Sequence, residues 1–348
     1  MSVTIKDIAR KAGVSHTTVS RSLNGNSSIP ERTAATIRDL AMEMGYLPSA
    51  AARALKTNRS QVLGVIVSRI DNPYFGDIVQ GIEDTLKDTG YSIFVASTNF
   101  DQSHEKEIIQ AFGEHRVDGV ILGSISFNKS HTELLSSYKI PVVVINNQSP
   151  RDNQLSIAHD DVFGARQLTR HLLDLGHRGI CYIGNSRARR INRDRARGFE
   201  LEMKEAGLSI TEDAIINVEG SEIEDGVLGM QRVLANPRLP TAVFCFNDLM
   251  AIGALKVLQE RSIRVPEQIS IAGFDNISYS AYTIPSLTTF NQPKRLIGAE
   301  AAKMLLELIT QAQNGNGHHK PPIRLIRGNL LIRNSTGPAP ERTYHEQH

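Results

Sequence analysis

Residues 15–23 read Ser-His-Thr-Thr-Val-Ser-Arg-Ser-Leu. Whether they form a plain polar helix or a helix that reads a partner decides the organisation of the whole chain. Ser15 is suited to cap a helix through its hydroxyl. Val19 and Leu23, four apart, would face inward, leaving His16, Thr17, Ser20 and Arg21 on other faces. A helix also precedes this one. Thr4-Ile5-Lys6-Asp7 matches a capping box, in which each end residue serves the other's backbone amide. Ile5, Ile8, Ala9 and Ala12 follow at helical spacing, and Gly13 ends the run. Asn24-Gly25-Asn26 closes the second helix. Pro30 in a first turn, with Ile37, Leu40, Ala41 and Met44 at i, i+3, i+4 and i+7, marks a third that stops at Gly45. The spacing predicts three short helices within residues 1–46.

Charge singles out the same region. Residues 1–60 hold nine Lys or Arg against four Asp or Glu, whereas the other 288 residues hold 30 against 33. A basic first segment on an otherwise slightly acidic chain points to a polyanionic partner for that segment alone. Residues 47–60 link it to the remainder of the chain. Within them Ser49-Ala50-Ala51-Ala52-Arg53-Ala54-Leu55-Lys56 is helix-prone, but its apolar face is only alanines and Leu55. Such a short helix is marginal alone and needs a partner to order it.

From Val62 the texture changes to strands alternating with helices. LGVIV, GVILGSI, PVVVIN, GICYIG, AVFCFND and ISIAGFDN are continuous apolar runs ending in turn residues, the mark of parallel strands buried on both faces. They predict an α/β core over residues 61–335 made of two doubly wound lobes. The first covers about 61–160 plus 290–320, the second about 161–289 plus 321–335, and 336–348 is a polar tail. A length of 348 residues fits more than one domain.

Several classes are disfavoured. No apolar run approaches the roughly 18 residues that span a bilayer, and charges recur through MSVTIKDIARKAG where a secretory signal needs an apolar stretch. Cys181 and Cys245 sit in strand-like runs and read as buried and reduced, so a cytoplasmic location is expected. His318 and His319 lack a carboxylate or thiol companion, so no metal site is expected. The chain has no G-x-G-x-x-G after a strand, no G-K-[ST] loop and no G-x-S-x-G elbow, so neither catalysis nor a cofactor is expected.

In this order, IKDIARKAGVSHTTVSRSLNG, GYLPSAAARAL, NPYF, LLDLGHRGICYIG, FNDLMAIGAL and VPEQISIAGFDN resemble the lactose-repressor (LacI/GalR) family of bacterial transcription regulators, over about residues 3–335. The resemblance implies an all-α helix-turn-helix headpiece, a hinge helix, and a core like that of periplasmic sugar-binding proteins. It also implies a homodimer on palindromic operator DNA. Residues 15–23 would then lie in the major groove. His16, Thr17 and Arg21 would meet base edges, while Thr4, Thr18, Ser20 and Asn24 would meet the DNA backbone. Leu55 would enter the minor groove, Ala52 would let two hinge helices approach, and Arg53 and Lys56 would neutralise phosphates.

Ligands of doubly wound sheets gather at the carboxyl ends of strands. Asn146, Asn247 and Asp275 fall at such ends, and Arg195 opens a helix. The resemblance gives Arg195, Asn247 and Asp275 positions that hold ligand hydroxyls in sugar-responsive relatives; Asn146 departs from an aspartate frequent there. Tyr74 and Phe75 would offer an apolar stacking face, although core packing accounts for Phe75 equally well. The expected effector is a small polar molecule, a carbohydrate first. The alternatives are a purine- or nucleoside-type corepressor, and a sugar receptor without a DNA-binding role, which would have no use for a basic headpiece. The run Arg187-Ala188-Arg189-Arg190-Ile191-Asn192-Arg193 either favours an anionic effector such as a sugar phosphate or is a solvated loop, the favoured reading. The tail has no leucine heptads, so a dimer is expected rather than a coiled-coil tetramer.

Overall fold

The computed structural model describes residues 3–24, 26–46, 59–123, 129–146, 155–313 and 323–341. They form two compact units divided after Gln61. Ala52, Arg53, Leu55 and Lys56 lie outside the described residues, as do His318 and His319.

The first unit consists of α1 (Ile5–Ala12), α2 (His16–Leu23) and α3 (Glu31–Glu43). Asp7 Oδ2 accepts from the Thr4 amide at 3.0 Å and the Thr4 hydroxyl at 2.6 Å. Gly13, at φ 67°, closes α1 in the left-handed conformation that only glycine adopts without strain. The chain turns at once, because Ser15 Oγ accepts from the Thr18 amide at 3.1 Å and starts α2. Ile8, Ala9, Val19, Ile37 and Ala41 form the buried core, with Leu23 and Met44 partly buried against it. Ser22, at 2% exposure, shares the inner face of α2 with Val19.

The second unit contains two six-stranded sheets. Its N-lobe elements are β1 (Val62–Val67), α4 (Pro73–Leu86), β2 (Ser92–Ser97), α5 (Gln102–Glu114), β3 (Gly119–Gly123), α6 (Lys129–Ser137), β4 (Val142–Ile145) and β5 (Leu155–His159). The C-lobe carries α7 (Asp161–Asp174), β6 (Ile180–Asn185), α8 (Arg189–Glu205), β7 (Ile215–Val218), α9 (Ile223–Leu234), β8 (Ala242–Cys245), α10 (Asp248–Glu260), β9 (Ser270–Asp275) and β10 (Thr288–Asn291). The chain then returns through α11 (Lys294–Gln313), β11 (Arg324–Ile326) and β12 (Asn329–Leu331).

The strand orders are β11-β5-β4-β3-β1-β2 and β12-β10-β9-β8-β6-β7. Every pairing is parallel except β10 with β12. Alternation across the N-lobe sheet shows why its strands read as unbroken apolar runs. Leu63, Val65, Ile121 and Val143 pack with Ile78, Ile82 and Leu305 on one face, while Ile66, Val120, Leu122 and Val144 pack with Ile109 and Phe112 on the other.

The late segment corrects the expected lobe bounds. Residues 321–335 do not belong wholly to the C-lobe, since β11 pairs with β5 in the N-lobe sheet and only β12 joins the C-lobe. Nor does the N-lobe resume at residue 290, because β10 runs to Asn291 beside β9. Gly328 makes the crossing between lobes: a Cβ there would collide with the carbonyl oxygen of Asn291.

One packing device occurs in both lobes. A Cβ on Gly81 of α4 would strike the Arg295 carbonyl oxygen of α11, and one on Gly298 would strike the Ile78 carbonyl oxygen in return. Gly226 of α9 and Gly253 of α10 stand in the same reciprocal relation, against Met250 and Ile223. Each pair lets two helices approach backbone to backbone. Among the described residues no helix is long and apolar enough to cross a membrane.

Candidate functional site

The headpiece presents one side of α2 outward. Val19 and Ser22 are buried, while His16, Thr17 and Arg21 are exposed. His16 and Thr17 stand in the first turn, where free backbone amides leave partial positive charge, and Arg21 follows one turn later. The smaller polar groups are partly engaged in the fold. The Thr18 hydroxyl lies 2.9 Å from Ser15 Oγ, Asn24 Nδ2 donates to the Ser20 carbonyl at 2.6 Å, and the Thr4 hydroxyl is held by Asp7. These contacts fix where α2 starts and stops, and so set the orientation of the exposed trio.

A second constellation lies between the lobes, where the carboxyl ends of the N-lobe strands meet elements of the C-lobe. Asn146 Nδ2 donates to Tyr74 Oη at 2.9 Å, and that hydroxyl donates to Gln292 Oε1 at 3.2 Å. Gln292 Nε2 in turn donates to Asp275 Oδ1 at 2.5 Å. Arg195 Nη2 is 3.7 Å from the same carboxylate, while its Nε donates to Asp161 Oδ1 at 3.0 Å. The guanidinium also lies over the rings of Phe274 and Phe246, at 3.9 and 4.5 Å from their centroids. Lys294 Nζ donates to the carbonyl oxygens of Asp275 and Asn276 at 2.7 and 2.8 Å. Those two residues leave β9 at φ 113° and 52°, and Asn146 leaves β4 at 62°. Backbone held in this region costs energy that the surrounding contacts must offset, a common feature of functional sites.

Burial controls the charge states. It pushes the Asp275 carboxyl up to about 6 against the pull of Arg195 and Lys294. Asp248 is fully buried without a cation in contact and is pushed up to about 7, first by burial and then by Asp275. Burial also acts on Asp161, but Arg195 and His159 outweigh it and hold that carboxyl below its usual range. The Tyr74 hydroxyl is raised, chiefly by burial.

The structure thus gathers Tyr74, Asn146, Arg195 and Asp275 into one connected polar set. Two other expected residues have different partners. Asn247 caps α10 by accepting from the Met250 amide at 2.9 Å, and its Nδ2 donates to the Ser221 carbonyl at 2.9 Å. Phe75 packs in the N-lobe core, edge-on to Tyr74 at 5.2 Å. Sequence reasoning missed Asp161, Gln292 and Lys294. Gln292 and Lys294 stand just past β10, and their one signal was their place directly after the strand-prone segment Leu287–Phe290. Among the described residues no cluster suits a metal ion.

Comparison with known proteins adds to this geometry. A model described as bacterial regulatory proteins of the lacI family matches residues 4–49, and one described as a periplasmic binding protein-like domain matches residues 169–336. The HTH-type transcriptional repressor PurR of Haemophilus influenzae strain PittEE is 37% identical over 313 residues, covering 90% of this chain and 93% of that protein. The lac repressor dimer bound to operator and the anti-inducer ONPF superposes with a TM-score of 0.84 at 25% identity, covering 97% of this chain and 100% of that one. A transcriptional regulator CelR–cellobiose complex gives a TM-score of 0.72 at 26% identity, covering 96% and 99%.

Proposed function

The chain belongs to the LacI family of bacterial regulatory proteins, a DNA-binding transcriptional regulator and not an enzyme; from that premise we propose that it is a cytoplasmic homodimeric repressor of a palindromic operator, released by a carbohydrate bound between its lobes. The observation that carries the DNA half is α2, packed through Val19 with His16, Thr17 and Arg21 left exposed. In a helix-turn-helix such residues enter the major groove. His16 can donate to a guanine acceptor and Thr17 can offer its methyl to a thymine, with Arg21 at a further base edge. Thr4, Thr18, Ser20 and Asn24 position the helix on phosphates. In the hinge segment, Leu55 is the residue for the minor groove, Ala52 lets two hinge helices approach, and Arg53 and Lys56 neutralise phosphates.

The effector half rests on the Tyr74–Asn146–Arg195–Asp275 set. A guanidinium beside a carboxylate donates to and accepts from vicinal hydroxyls, which suits a sugar. In the structure these residues satisfy one another, so a ligand must replace those contacts, and it shifts DNA affinity only by preferring one lobe arrangement.

The test is a DNA selection followed by mobility shifts, with sugars, sugar phosphates and nucleosides added in turn. Removal of residues 1–60 is expected to abolish DNA binding and keep ligand binding. Leu55→Ala is expected to abolish tight operator binding and leave weak, salt-sensitive binding. Equal operator affinity for this variant and its parent would refute the hinge assignment.

A further inference from the structure

Residues 187–194 carry an excess of positive charge within their own segment. Deeper in the cleft, Arg195 lies against the Asp161 and Asp275 carboxylates, and Lys294 against the Asp275 carbonyl oxygen and the Asp77 carboxylate, at 3.5 Å from the latter. Within residues 187–194, Arg187, Arg189, Arg190 and Arg193 accompany one carboxylate, Asp194, which lies 2.8 Å from Arg190 and 3.5 Å from Arg193, while Asp71 and Glu222 on other elements pair with Arg69. The run is more than a solvated loop. Arg190 Nη2 crosses the cleft to donate to the carbonyl oxygen of Asn146, directly after β4. Arg187 crosses as well, with its guanidinium 5.5 Å from the centroid of Phe100, just beyond β2. Both N-lobe partners stand at carboxyl ends of strands, the side on which the cleft residues gather.

Asp194 is the anionic partner of Arg190; the cross-cleft carbonyl oxygen and ring face are neutral, and guanidinium forks match phosphate and carboxylate bidentately. The Arg190 side chain is only 20% exposed, so an anion reaching it would be screened less than one at an open surface. We propose that the effector carries a phosphate or carboxylate group, bound at the cleft mouth by Arg187 and Arg190 with Arg189 beside them, while its hydroxyls lie on Arg195 and Asp275. Because both arginines already contact the N-lobe, an anion that engages them acts directly on a contact between the lobes. This assignment rests on the interlobe cleft being the effector site.

The full-length protein is titrated at constant ionic strength with inorganic phosphate and with matched sets: glucose, glucose 6-phosphate and gluconate; ribose and ribose 5-phosphate; adenosine and its 5′-phosphate. Tm and operator affinity are the readouts. The expected result is that phosphate raises the Tm and that one charged ligand binds about tenfold or more tightly than its neutral parent, the scale of a charge-assisted contact. The phosphate and carboxylate members of a set show which anion is taken. In Arg187→Ala/Arg190→Ala that preference disappears, and Arg187→Lys/Arg190→Lys retains part of it. Circular dichroism and a cooperative unfolding transition show that each variant is folded. A neutral ligand binding more tightly than its charged partners, or equal stabilisation of parent and Ala variant by phosphate, overturns the anion subsite and leaves the effector cleft standing. No response of Tm or operator affinity to any member overturns both.

Discussion

Arg195 donates through Nε to Asp161 Oδ1 at 3.0 Å, with the two side chains only 5% and 4% exposed. A pair this deep has been taken out of water at a cost that its mutual attraction must offset, so removing one partner strands a buried charge. Arg195→Met is expected to lower unfolding stability by about 3–5 kcal/mol, measured by urea titration of ligand-free protein. Arg195→Met combined with Asp161→Asn should cost less than the sum of the two single changes. Strict additivity would show that the pair is not energetically coupled.

Asp248 gives a stability that depends on pH. Its Oδ1 accepts from the Thr289 hydroxyl at 2.6 Å and its Oδ2 from the Ile277 amide at 2.9 Å, and burial pushes its carboxyl up to about 7. An acid raised in the fold holds its proton more tightly there than in the unfolded chain. Stability is therefore greatest below the unfolded pKa, about 4, and falls as pH rises towards 7. The slope reaches at most about 1.4 kcal/mol per pH unit for one proton. Asp248→Asn keeps an acceptor for the Ile277 amide and should flatten the decline between pH 5 and 8. Comparing the two proteins cancels groups that titrate in both, such as His177, whose pKa burial lowers. Parallel Tm profiles for parent and variant would rule Asp248 out as the source.

The exposed trio on α2 separates two kinds of DNA contact. A side chain at a base edge discriminates by about 1–3 kcal/mol per base pair, whereas a phosphate contact weakens all sequences alike and lowers the salt slope by about one unit. His16→Ala and Arg21→Ala should each relax the selected sequence at one position in each half-site. Arg53→Ala should leave the selected sequence intact and reduce the salt slope. Unchanged selection profiles for both His16→Ala and Arg21→Ala would remove α2 as the reader.

Legibility from sequence followed the strength of local signals. The three headpiece helices were readable because Thr4, Gly13, Ser15 and Gly45 punctuate them. The strands were readable because burial on both faces leaves them without polar interruptions. Local capping sets bounds that apolar spacing does not: α5 starts at Gln102, ahead of its first buried aliphatic residue, Ile108, because Asp101 Oδ1 accepts from the Ser103 and His104 amides. The crossing of β11 and β12 between lobes was hidden, since three-residue strands carry no measurable period and their partners β5 and β10 are remote in sequence. Within the cleft, Asp275 was legible at a strand end; Arg195 was expected to open a helix, but that helix starts earlier, at Arg189, and holds Arg195 in its interior. Gln292 and Lys294 were not legible, because single polar residues after a strand are common and only the return of the chain from the C-lobe brings these two against Asp275.

Two glycines of the N-lobe should respond to the same substitution with opposite signs. Gly76 and Gly298 both lie inside helices, in α4 and α11, where alanine is favoured over glycine by up to about 1 kcal/mol. At Gly76 an added Cβ meets nothing within 4 Å, so Gly76→Ala should realise that gain and raise the Tm. At Gly298 the same methyl would strike the backbone carbonyl of Ile78, and a backbone atom cannot rotate away as a side chain can. The helices must then separate, opening the contacts that α4 and α11 make across Ile78, Ile82, Ile297 and Ala301. Overpacking of this kind costs about 1–3 kcal/mol, enough to outweigh the helix-propensity gain. Thermal unfolding of the two variants should therefore move in opposite directions from the parent. A rise in Tm for Gly298→Ala would show that the close approach of α4 and α11 is not required for their packing.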